Sequence, residues 1–97
     1  LVDRATLHEQ AHFQLEIQGN PLRESSNLQI VSTIHPDLKL AFDGLIIYST
    51  NGQQVFRTEG VGKTSFQLYR ENLQPGMYLI KAWDEHGHQF SDKLIVQ

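Results

Sequence analysis

The 97-residue sequence contains no cysteine, which excludes a disulfide framework and any thiolate metal site and leaves stability to packing alone. It has no basic excess either. Eight Lys and Arg stand against eleven Asp and Glu, a net charge of -3 with the cations scattered along the chain. There is therefore no field to drive counterion release from a phosphate backbone, and nucleic acid is a poor partner. Long apolar runs are also missing. Stretches such as Leu45-Ile46-Ile47-Tyr48 fall far short of the roughly 20 residues that span a bilayer as a helix. The sequence opens without Met and without a charged segment leading into an apolar one. A fragment of a longer precursor, with its export leader elsewhere, is the expectation.

What is present suits one small domain. A chain of this length supplies a single core, and an apolar share of 39% fills a thin layer between two sheets. Residues 1–12 read as a linker or lead-in, because a helix that short is marginal in water. From Phe13 the pattern alternates: Phe13, Leu15 and Ile17 point one way and Gln14, Glu16 and Gln18 the other, the period-2 mark of a half-buried strand. Further strands are expected over 28–34, 38–48, 54–57, 65–68, 77–84 and 89–96. Between them lie turns rich in Gly, Pro, Asn and Asp. Asn51-Gly52 is expected to form a type I′ hairpin turn. Seven strands without a convincing helix predict an all-β, immunoglobulin-like antiparallel sandwich over residues 13–97.

Leu73-x-x-Gly76-x-Tyr78 has the form of a tyrosine corner, in which a Tyr just inside a late strand returns its hydroxyl to upstream backbone. Pro75 and Gly76 supply the sharp approach, and Gly76 is expected to take a positive φ.

The search for reactive groups finds little. There is no strained elbow for a nucleophilic Ser, and the only adjacent carboxylates, Asp84 and Glu85, point to opposite faces of a strand. An enzyme is not expected, and no cofactor is implied. His86-x-His88 is the one candidate metal pair, but at a glycine-bearing hairpin tip solvated loop histidines are the simpler reading. Trp83 either covers the edge of the core or, if exposed, marks a glycan or protein contact. The closing run Lys93-Leu94-Ile95-Val96-Gln97 reads as a last strand whose edge is open to β-augmentation.

Three segments together resemble the C-terminal sorting domain of type IX secretion cargo. They are Leu45 to Val55, Leu73 to Ala82, and the terminal Lys93 to Gln97. In that family an apolar strand ends in Tyr-Asp-x-x-Gly-Arg-x-Val, a later turn reads Leu-x-x-Gly-x-Tyr, and the chain closes on a Lys-bearing apolar strand. Tyr48, Gly52, Val55, Leu73, Gly76, Tyr78, Lys81 and Lys93 fall on those places, and Gly19-Asn20-Pro21 resembles the opening Pro-Asn-Pro motif. Ser49 and Gln53 depart from the usual Asp and Arg.

The resemblance implies a non-catalytic signal that carries a parent protein from the periplasm through the outer-membrane translocon of a Gram-negative cell. It further implies that a surface sortase removes the domain within residues 1–12 and joins the parent to anionic lipopolysaccharide. The recognised residues would be Gly76, Tyr78, Lys93, Leu94, Ile95, Val96 and Gln97, with Asn51, Gly52 and Pro75 as structural turns. The competing reading is an accessory immunoglobulin- or fibronectin-like module, a spacer or a carbohydrate binder acting through Trp83.

Overall fold

The computed structural model describes residues 12–35, 37–71 and 73–97; the expected lead-in thus lies almost entirely outside the described residues. Eight strands form: β1 (Phe13–Gln18), β2 (Ser25–Ser32), β3 (Lys39–Leu40), β4 (Phe42–Ser49), β5 (Gln54–Glu59), β6 (Ser65–Tyr69), β7 (Gly76–Asp84) and β8 (Gln89–Val96). All pairings between these strands are antiparallel. One sheet sets β1 against one side of β2, with β3 and β6 sharing its other side; the second runs β5-β4-β7-β8. No helix of the described residues is long and apolar enough to cross a membrane.

The alternation read in the sequence is what fills the core. Leu15 from β1, Leu28 and Ile30 from β2, Leu45 and Ile47 from β4, Ile80 and Ala82 from β7, and Leu94 and Val96 from β8 meet between the sheets, with Phe42, Leu68 and Phe90 closing the layer. Burying each Leu, Ile or Val side chain of this layer contributes about 1.5–3 kcal/mol. Every second residue of β7, from Tyr78 through Asp84, is buried, and the residues between them face outward.

Three local expectations are revised. The apolar stretch 38–48 is two strands, because the chain leaves the first sheet after Leu40, passes Ala41 and enters the second at Phe42. That step makes eight strands of the expected seven. The second strand ends at Ser32 instead of Ile34, since the Ser32 hydroxyl accepts the backbone N–H groups of Ile34 (3.2 Å) and His35 (3.0 Å) and turns the chain. The β4–β5 hairpin also differs from a type I′ turn. Of its two central residues only Gly52 has a positive φ, +84°, whereas type I′ requires it at both. Gly52 N–H donates to the Ser49 carbonyl (2.9 Å) and Ser49 N–H to the Gln53 carbonyl (2.8 Å). This is a three-residue loop whose last residue is left-handed, followed by a shifted register at Tyr48.

Candidate functional site around the C-terminal strand

The turn before β7 forms as its residues dictate. Gly76 has φ +149°, a conformation that a side-chain-bearing residue rarely adopts. Two residues on, the Tyr78 hydroxyl donates to the Gln74 carbonyl at 2.7 Å, completing a tyrosine corner. The ring is buried in the core, so the corner fixes where β7 starts, and through β7 the register of β8.

β8 pairs with β7 along its length, Gly76 opposite Val96 and Trp83 opposite Gln89. The five residues expected to act as a signal therefore divide by face. Leu94 and Val96 are core side chains, 0% and 2% exposed, while Ile95 is 38% exposed and Lys93 and Gln97 also face solvent. Any role for Leu94 and Val96 in recognition is thus inseparable from folding.

The edge of β8 is not open at this end. Ile95 N–H donates to Asn20 Oδ1 (3.0 Å), and Asn20 Nδ2 donates to the Lys93 carbonyl (3.3 Å). Leu22 then forms a parallel bridge to Val96: its N–H donates to the Ile95 carbonyl (2.6 Å) and its carbonyl accepts Gln97 N–H (3.0 Å). Lys93 N–H is met by Asp92 Oδ1 (2.8 Å), and Arg23 Nε donates to Gln97 Oε1 (2.9 Å). The segment Asn20–Arg23, which includes a cis Asn20–Pro21 peptide, lies along β8 as a strap, with Leu22 fully buried beneath it. The expected open edge is corrected accordingly: the polar groups a partner strand would need are already used.

Sequence reasoning missed Asn20 as part of this site. The hints were its place in a Gly-Asn-Pro turn and in the segment resembling the opening Pro-Asn-Pro motif; its partners lie 73 and 75 residues away. An Asn20→Ala substitution is expected to raise the hydrogen-exchange rate of the Ile95 amide about tenfold, since one net hydrogen bond contributes about 1 kcal/mol or somewhat more. Exchange measured by NMR checks this; an unchanged Ile95 rate would show that Asn20 does not hold the edge.

At the other end of β8, Asp84 organises the hairpin. It is 2% exposed, and its Oδ1 accepts the N–H groups of His86 and His88, both at 2.9 Å, while its Oδ2 lies 2.9 Å from His88 Nδ1. Of the two loop histidines only His86 is solvated as expected; His88 is half-buried and engaged by Asp84. Among the described residues no group of three or more His, Cys, Asp and Glu is placed to hold a metal ion.

Trp83 does not cover the core. It sits on the outward face of the β5-β4-β7-β8 sheet, packed onto Gly44, with Nε1 donating to Asp43 Oδ2 (3.1 Å) and the Arg57 guanidinium 5.9 Å from the ring centroid. With its edge bonded and a cation over the ring, it is tied down by its own sheet.

The outward face next to β8 is different. Met77 is 46% exposed and Leu79 40% exposed, and the register sets Met77 beside Ile95, and Leu79 between Tyr48 and Lys93.

A family model described as a secretion system C-terminal sorting domain matches residues 14–97. No curated protein matches the chain.

Proposed function

The chain belongs to the type IX secretion C-terminal sorting domain family, and on that premise we propose that it directs its parent protein across the outer membrane of a Gram-negative cell and on to surface attachment. The observation that carries this reading is the extent of the family match, which runs from β1 to the last residue. The signal is a whole folded sandwich, and its partners are the outer-membrane translocon and then a surface sortase that joins the parent to anionic lipopolysaccharide.

The architecture supports this division of labour. A cargo tag has to fold whatever precedes it, and here the last strand is fixed from both sides, by β7 and by the Asn20–Arg23 strap. The Thr33 N–H and hydroxyl both donate to the His12 carbonyl, at 2.6 and 3.2 Å, so the folded unit is knitted together from His12 onward. Sortase cleavage within residues 1–12 would fall ahead of β1.

The test is a reporter carrying a periplasmic leader and ending in residues 1–97, produced in a type IX-competent host and in a translocon-deficient sister strain. Surface-accessible reporter in the first and periplasmic reporter in the second is the expected result. Equal localisation in the two strains would refute the function.

A further inference from the structure

A second reading of the same surface follows once the edge of β8 is known to be occupied, and it rests on the sorting function proposed above. With no free strand edge between Lys93 and Gln97, a receptor that reads this end of the molecule has to read side chains. On the outward face of β4, β7 and β8 these form one patch. Tyr48, Met77, Leu79 and Ile95 are its apolar floor, in register across three strands. A depression of about 450 Å³ lies over it, lined in part by Tyr48, Met77, Leu79, Lys81 and Lys93.

The two lysines give the patch its sign. Lys81 pairs with Ile46 and Ser91, and Lys93 with Leu79, so both stand on the same outward face as the apolar floor. The ion pairs among the described residues join Arg57 to Glu59 and His88 to Asp84; neither lysine takes part in one. A domain with net charge -3 thus presents two lysines outside any ion pair among the described residues beside its exposed Met77, Leu79 and Ile95. Single exposed apolar side chains are ordinary, but contiguous ones rimmed by charge mark contact surfaces.

We propose that this patch is the translocon-docking surface of the domain, and that it fits a protein surface of the export machinery with an apolar centre and acidic residues placed against Lys81 and Lys93. Apolar contact supplies the affinity, and the two charge pairs supply orientation and the rejection of wrong partners. Because only side chains on one face are used, Phe90, Leu94 and Val96 of β8 are left to serve the core.

The experiment compares the same reporter fusion in three forms: unaltered, Lys81→Glu with Lys93→Glu, and Lys81→Arg with Lys93→Arg. Both lysines are exposed, so melting temperatures are expected to stay close together. Surface delivery is expected to fall about tenfold or more on charge reversal and to stay within about twofold for the Arg form. If reversal lowers the melting temperature, Leu79→Ser tests the same patch without a charge change and is expected to cut delivery at unchanged stability.

Normal delivery of a folded charge-reversed form, alongside translocon-dependent delivery of the unaltered fusion, would overturn the docking surface and leave the sorting function standing. Failure of the unaltered fusion itself would overturn both. Flotation of the purified chain with phosphatidylglycerol vesicles, abolished by charge reversal, would reassign the patch to an anionic membrane and so overturn the protein partner.

Discussion

Leu94→Ala is expected to lower the unfolding free energy by about 3 kcal/mol, within the 2–5 kcal/mol that large-to-small changes cost at closed core positions. Leu94 is 0% exposed and lies in the layer between the sheets. The tyrosine corner and the strap hold β8 on both sides, so the site cannot collapse onto the vacancy. For a domain this small, each kcal/mol shifts the melting temperature by about 4–8 °C, so a fall of well over 10 °C is expected. Ile95→Ala, one position along and 38% exposed, is expected to cost less than about 1 kcal/mol. Urea titration of both variants checks the contrast. Equal losses would mean that β8 does not present its faces in the register described.

The contrast also bears on deletion experiments. Removing Lys93 to Gln97 takes away Leu94 and Val96, together with the groups that Asn20 and Leu22 hold. The truncated domain is expected to unfold, so a loss of export on truncation does not by itself report on recognition.

The second large effect is expected at Gly44. A Cβ there would stand 2.5 Å from Trp83 Cζ2 and 2.7 Å from the Thr58 carbonyl oxygen, both far inside van der Waals contact. Trp83 resists displacement because Nε1 is bonded to Asp43 and Arg57 lies over its ring. Thr58 is backbone of β5, paired to β4 at Leu45. Gly44→Ala is expected to destabilise by about 2–3 kcal/mol, at the upper end of overpacking costs, with a red shift in tryptophan fluorescence as the ring is pushed into water. In the Trp83→Leu background the same substitution should cost clearly less, because only the Thr58 clash survives. Additive losses in that double-mutant cycle would show that the ring does not rest on Gly44.

How much of this was legible in the sequence depended on how local the cause was. The alternation of Phe13 to Ile17 and of Tyr78 to Ala82 declared the strands, because a side-chain period of two is a property of the strand itself; which row of the Tyr78–Trp83 strand meets the core was settled only by the structure. Leu73-x-x-Gly76-x-Tyr78 declared the corner, whose bond spans four residues. The place of the Asn51-Gly52 turn was legible and its type was not, since loop length is set by the register of the flanking strands. The run from Leu38 to Tyr48 hid a change of sheet: a continuous apolar stretch looks the same whether it faces one core surface or crosses between two. The site was least legible where its parts are distant in the chain. Nothing near Asn20 indicates that its amide closes the edge of a strand more than 70 residues later, and nothing near Trp83 indicates that Gly44 lies beneath it.

Surface delivery measured together with melting temperature, for single substitutions at successive positions of β8, is the most direct measurement. If the sorting signal is the outward half of a folded strand, Lys93→Glu and Ile95→Asp should lose delivery at nearly unchanged melting temperature, whereas Leu94→Val and Val96→Ala should lose it only as far as the melting temperature falls. Delivery that tracked melting temperature alone at all four positions would contradict this, and would mean that the export machinery requires a folded sandwich without reading the face of its last strand.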